Sequence, residues 1–333
     1  IQNYMNNLKK NGIDSVMLYP RSGCELEYLT DEWFEKIGEF IDAAKNLDMS
    51  IWLYDEFNWP SGDAGGMVTQ NEEFRLKSIT VKGESTGKIG YYSAHNSSLF
   101  GEKFFPDLLS EKAVDYFIET THEKYYQKFS AYFGNIINGF YTDEPSIGYC
   151  CTKNSIPYYY GIEDDYNKYC GRDFTKDMQN SYEFFCKNAV AVISDRFNKC
   201  FIAKIRDWCT KRNVLMTGHL MADDTPFGAT RYNGDFLKNL SSFSLPGIDE
   251  ISTDLRMNAF TKGAQFSLLG GAEYASGEHG AMAELFALGP CDMPYSVKCC
   301  MIFLAACFKV NHYFLAVSHM DIRGNMKIID YFN

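Results

Sequence analysis

Long apolar runs are missing from this 333-residue chain. A bilayer-spanning helix needs about 20 consecutive apolar residues. The strongest run here, Met301 to Phe308 (MIFLAACF), has the length of a buried helix. A basic surplus is missing too: Lys and Arg number 32 against 43 Asp and Glu, a net charge of −11. Nucleic acid and anionic membrane surfaces recruit proteins through clustered Lys and Arg, so both are disfavoured as partners. No Cys-x-x-Cys spacing occurs among the 11 cysteines, most of which sit in apolar helical stretches. That usage fits reduced thiols in a cytoplasmic protein better than a disulfide set or a thiolate zinc site. No G-x-G-x-x-G follows any apolar strand, which argues against a dinucleotide-binding sheet. No leader precedes Ile1, and the chain opens inside a helical pattern. The native start is therefore expected upstream, and the missing leader has no bearing on export.

What is present is a rhythm. Ile1, Tyr4, Met5 and Leu8 recur at helical spacing, and SVMLYP (15–20) follows as a buried strand. A second helix, with Trp33, Ile37, Phe40, Ile41 and Ala44 on one face, leads into SIWLYDE (50–56). The alternation resumes with a helix striped by Val114, Phe117, Thr121, Tyr125, Phe129 and Tyr132, then IINGFYTDEP (136–145). NVLMTGHLM (213–221), GIDEISTD (247–254), GAMAELF (280–286) and NHYFLAVSHMD (311–321) complete seven strands, each after a helix. Strands apolar on both faces with short helical connections predict a TIM-type (β/α)8 barrel. Because the chain opens in a helix, the seven are taken as the second to eighth strands, with the first lost upstream. Residues 1–333 are read as a single barrel domain, truncated at both ends, with a hairpin-like excursion at 67–109. Residues 146–179 read as irregular.

In such a barrel the active site lies at the C-terminal ends of the strands, and there the polar residues gather. Arg21 closes the first visible strand and Asp55-Glu56 the next. Asp143-Glu144-Pro145 closes the third, His219 and Asp223-Asp224 the fourth, and Asp254 the fifth. His319 and Asp321 close the last. Each also has a plainer reading: Arg21 as an ion-pair partner, Asp55 or Glu56 as a cap of the WPSGDAGG loop, His219 and His319 as core histidines. Glu284 is different, because it interrupts an apolar strand between Ala283 and Leu285-Phe286. A buried charge there is paired or functional. Glu144 and Glu284 would face each other across the barrel mouth, and paired carboxylates in that position suit glycoside hydrolysis. Aromatic content of 16%, with Tyr54, Trp59 and Tyr158–Tyr160 near the rim, would supply platforms for sugar rings. Arg21, Asp55, Glu56, Trp59, Asp143, His219 and His319 are the expected substrate contacts.

WLYDEFNWPSGDAGG (52–66), GFYTDEP (139–145), TGHLM (217–221), AELF (283–286) and the NHY…SHMDIRG ending resemble the catalytic barrel of family 106 glycoside hydrolases, the α-L-rhamnosidase family, over nearly the whole chain. The resemblance implies an inverting, calcium-assisted hydrolase of an oligo- or polysaccharide. Glu144 would be the general acid, with its pKa raised, and Glu284 the ionised second carboxylate acting on water. It also implies further β domains after the last strand. ALGPCDMP (287–294) replaces the family's Gly-Trp, and Ala283 stands where Ser is common; both departures bear on sugar specificity. The residues themselves require no cofactor. Two other readings use the same barrel: a metal-dependent hydrolase with His219, His319 and Asp321 as ligands, and a non-catalytic sugar-binding protein.

Overall fold

The computed structural model describes residues 1–21, 24–80, 88–89, 91–93, 102–148, 155–250, 259–276, 279–286 and 293–315. Seven parallel strands form its main sheet: β1 (Ser15–Leu18), β2 (Ser50–Tyr54), β3 (Ile137–Asp143), β4 (Leu215–His219), β5 (Leu245–Glu250), β6 (Ala281–Leu285) and β7 (Val310–Leu315). Each hydrogen-bonds to its successor in chain order. Sequential parallel pairing through helical crossovers is the order of an α/β barrel, not of a doubly wound sheet. Among the described residues β1 and β7 are its two edges.

The sheet is curled, and side chains show how tightly. Trp52 on β2 meets Phe314 on β7 with ring centroids 5.5 Å apart, although four strands separate them in the sheet. Strand side chains alternate in direction, so each strand feeds two layers. Trp52, Tyr54, Tyr141, Leu245 and Met282, with Met17, Tyr19, Leu215 and Phe314, fill the inside of the curl. Ile51, Leu53, Phe140, Met216, Ile248, Ala283 and Leu285 point the other way, into the larger core beneath the helices. The helix Asp31–Leu47 shows how that outer layer forms. Thr30 accepts a hydrogen bond from Trp33 N at its start, Asp31 and Glu32 suit the positive end of its dipole, and left-handed Asp48 stops it. Its buried face is Trp33, Phe34, Ile37, Ile41 and Ala44. Among the described residues no helix is long and apolar enough to cross a membrane.

The excursion at 67–109 contains two antiparallel pairings, Lys77–Thr80 with Lys88–Ile89 and Tyr91–Ser93 with Glu102–Phe104, and Lys77–Thr80 pairs on its other side with Ser155–Tyr158. Correspondingly, the stretch after β3 is not irregular: beyond that strand it forms the helices Ile162–Cys170 and Phe174–Asn180. The pairing partner of Ser155–Tyr158 lies far upstream, so no local pattern announced it. Of the last predicted strand only residues 310–315 are described, and Asp254, His319 and Asp321 lie outside the described residues.

Candidate active site

The loop after β2 folds around one carboxylate. Glu56, fully buried, accepts hydrogen bonds from the backbone N–H groups of Phe57 (2.9 Å), Gly62 (3.1 Å), Asp63 (2.7 Å), Ala64 (2.8 Å) and Gly65. Turning five amides onto one side chain needs left-handed backbone. Gly62 has φ +128°, and a Cβ there would lie 2.7 Å from Leu108, so the glycine is obligatory. Asp55, also fully buried, accepts from Ser61 Oγ and Thr142 Oγ1, each at 2.6 Å. Burial, only partly offset by those hydroxyls, pushes its carboxyl up to about 8. Glu56 thus caps the loop through its backbone amides, while Asp55 ties the loop's Ser61 to Thr142 of β3. What the loop presents is Trp59. It is latched to neighbouring strand ends by Asn58 N to Pro20 O (3.0 Å) and Ser61 N to Asp143 O (2.8 Å). That places Trp59 against the Arg21 guanidinium, 4.1 Å from the ring centroid, with Tyr19 against the same guanidinium at 4.3 Å.

The inward-facing positions continue past the aromatic layer and become polar. Tyr54, Tyr141 and Asp143, His219, Asp249 and Glu284 follow the parity of Trp52, Leu215, Leu245 and Met282. His219 is the centre. Gly218 before it has φ +132°, and a Cβ there would lie 1.8 Å from Thr142 O, so only glycine lets β4 run this close to β3. His219 Nε2 lies 2.9 Å from Asp143 Oδ1 and 3.8 Å from Glu284 Oε2, and Nδ1 lies 3.8 Å from Asp223. Asp143 Oδ2 accepts from Tyr54 OH (2.5 Å) and Tyr19 OH (3.3 Å), and Tyr141 OH donates to Glu284 Oε2. Glu144 ends β3 in a left-handed conformation, φ 47°. That is a strained state for a residue with a Cβ, and it brings the carboxylate beside Asp143 and His219, with donor atoms all within 4.8 Å.

The charges are unbalanced, and the protonation states reflect it. Burial opposes a charged His219, yet its Asp143 hydrogen bond and the charges of Asp143, Asp249 and Asp223 hold its pKa well above the usual value. Burial would raise Asp143, but the hydrogen bond and charge of His219, with Tyr54, bring it below the ordinary carboxylate value. Burial and then the Asp143 charge push Glu144 up to about 8, against the pull of His219. Burial with Asp143 raises Glu284 as well, although His219, Tyr141 and Arg21 all favour its anion. The ionised Glu284 anticipated from sequence thus has the expected partners but a net shift in the other direction. Asp249 is raised well above the usual value by burial and by Glu284. Burial raises Asp223 to about 7.

Of the sequence candidates, Arg21, Asp143, Glu144, His219 and Glu284 converge, Trp59 stacks on Arg21, and Asp55 and Glu56 stand behind them. Asp249 is the residue sequence reasoning passed over. Its signal is the inward alternation Leu245, Gly247, Asp249, which stops short of Asp254 at the strand's expected end. Two triads have donor atoms close enough to share a metal ion: Asp143, Glu144 and His219, and His219, Asp249 and Glu284.

No known protein family matches the sequence, nor does any curated protein. Solved structures share the fold. A rhamnosidase from Novosphingobium sp. PP1Y aligns over 69% of this chain and 22% of its own, with a TM-score of 0.54 and 13% identity. A catalytic mutant of Gan42B, a GH42 β-galactosidase from G. stearothermophilus, aligns over 97% of this chain and 49% of its own, with a TM-score of 0.55 and 12% identity. The chain thus spans less than half of either protein. At such identities the likeness establishes an α/β-barrel fold and nothing finer.

Proposed function

We propose that this barrel is a glycoside hydrolase in which Glu144 is the proton donor and Glu284 the second carboxylate, with α-L-rhamnosides the first substrates to test. One observation carries the reading: carboxyls from β3 and β6, far apart in sequence, meet around one imidazole at the C-terminal mouth, and Glu144 holds its proton up to about pH 8. A protonated Glu144 can deliver that proton to the departing glycosidic oxygen. Glu284, oriented by Tyr141 and flanked by His219, either attacks the anomeric carbon or takes a proton from the attacking water. The Arg21–Trp59–Tyr19 stack provides the flat, rigid side against which a sugar ring can lie. The named rhamnosidase and β-galactosidase neighbours support the class; the sugar comes from the resemblance of the sequence motifs.

Calcium, implied by that resemblance, takes hard oxygen ligands. Of the carboxylates in the two triads, Asp143 is the one given no catalytic or substrate role here, so its oxygens would hold the ion. Bound there, the ion would supply positive charge that orients sugar hydroxyls.

The test is a panel of 4-nitrophenyl glycosides (α-L-rhamnoside, β-galactoside, α-L-fucoside, α-galactoside) with the full chain, followed by the anomeric configuration of the first-formed sugar. Turnover of none of them would defeat the glycosidase reading. Retention of configuration would make Glu284 a nucleophile, and inversion would make it a base.

A further inference from the structure

The cluster contains one carboxylate that the two-glutamate scheme does not use. Asp249 lies on β5 directly beside Glu284 of β6, the two being register partners, so both side chains point into the barrel mouth. The placement is built. Asp249 N donates to Asp223 Oδ2 (3.0 Å), and Asp249 O accepts from Gln265 Nε2 (2.9 Å). Gln265, only 3% exposed, also donates to Asp223 Oδ1 (2.9 Å). Two buried side chains thus hold the backbone on either side of this one residue, which is how a binding group is kept in position. Its own Oδ1 is buried and has no hydrogen-bond partner among the described residues. A buried acceptor left without a donor is costly, so the position makes sense if something else brings the donor.

We propose that Asp249 grips the sugar hydroxyl on the ring carbon next to the reacting one, and thereby selects the sugar. The inference rests on the glycosidase reading above. With Glu284 directed at the anomeric carbon, its neighbour one strand spacing away, about 4.8 Å, reaches the substituent of the adjacent ring carbon. Hydrogen bonds to that hydroxyl tighten in an oxocarbenium-like transition state. His219 sits within 4.8 Å of the same oxygens and carries positive charge into this corner, which favours direct contact over a bridging cation.

The experiment is a two-by-two comparison in the full chain. Asp249→Asn, nearly isosteric, and Asp249→Ala are each assayed as kcat/KM on 4-nitrophenyl α-L-rhamnopyranoside and on its 2-deoxy derivative. If the panel shows another preferred sugar, that glycoside and its 2-deoxy derivative replace the pair. Both variants should lose about 10²-fold or more on the parent, the equivalent of several kcal/mol in the transition state. On the 2-deoxy substrate, which lacks the hydroxyl to be gripped, the loss should be under about 3-fold. The same pattern should persist in chelator. Equal losses on both substrates would make Asp249 merely structural, and no loss on either would remove it from the site. Dependence of the pattern on a cation would overturn direct contact. Wild type inert on every glycoside of the panel would instead defeat the glycosidase reading itself, before any variant is made.

Discussion

Two parts of the barrel mouth bury carboxylates, and they treat them oppositely. In the loop after β2, Glu56 is surrounded by five backbone N–H donors. Around His219, four carboxylates (Asp143, Glu144, Asp249, Glu284) share one imidazole, the Arg21 charge and a few tyrosine hydroxyls, and three of them are raised above their ordinary pKa. Satisfied buried charge holds a structure together, while crowded and under-supplied buried charge is available for chemistry. The contrast separates what supports the site from what operates it, although both parts consist of the same residue types.

Removing one carboxylate from each part should have opposite consequences. Glu284→Gln is expected to lower kcat/KM by about 10²-fold or more on every glycoside. Glu144→Gln should do so only for poor leaving groups, since activated aryl glycosides need little protonation. Neither should lower the urea midpoint: at Glu144 the amide replaces a carboxyl that is already neutral, and at Glu284 relief of like-charge crowding offsets lost contacts. A tenth or more of wild-type activity surviving in either variant on unactivated substrates would take that residue out of the mechanism. Glu56→Ala should do the reverse, leaving buried amides without an acceptor and costing about 3–5 kcal/mol of stability in urea unfolding. A Glu56→Ala protein as stable as wild type would mean that the loop does not depend on its carboxylate.

Acidity sharpens the same contrast. Glu144 must be protonated to act, so kcat/KM should fall on the alkaline side with an apparent pKa near 8, and that limb should vanish in Glu144→Gln. Stability should also decline as pH rises. Asp55, Glu144 and Asp223 retain protons in the folded chain up to about 8, 8 and 7, whereas an unfolded chain releases them near 4. Between those values the folded state binds more protons, so each pH unit weakens it. His219 acts in the same direction: with a raised folded pKa, its contribution is complete below about 6.5 and is lost as pH rises. Asp143, lowered, contributes stability above about 4 and loses it only in acid. Melting should therefore come at lower temperature at pH 8.5 than at pH 5.5; a rising or flat profile would contradict these proton positions.

The smallest effect is expected at the edge between the two parts. Trp59→Phe keeps an aromatic face on Arg21 but a weaker one, a difference of about 0.5–1 kcal/mol. That should appear as a roughly 2- to 5-fold rise in KM with kcat nearly unchanged. A fall in kcat instead would place Trp59 at the reacting centre.

How much could be read in advance differs residue by residue. Glu284 stood out because nothing local explained a charge in an apolar strand. Glu144 was also found, but for an incomplete reason: alternation would turn it away from the mouth, and its left-handed φ of 47° turns it back. Asp55 and Glu56 were ambiguous, because an acidic pair before a glycine-rich loop looks the same whether it faces substrate or caps the turn. Asp249 was passed over among neighbouring acidic residues, since its register against Glu284 is a property of strand pairing.

The strand–helix order, the two-layer alternation and the collection of polar groups at strand ends are already written in the order of the residues. Those follow from periods of 3.6 and 2 that each segment carries alone. Which of those groups share charge is settled in three dimensions. Coulomb and desolvation energies depend on distance and burial, and these are fixed when β3, β4, β5 and β6 are brought side by side around His219.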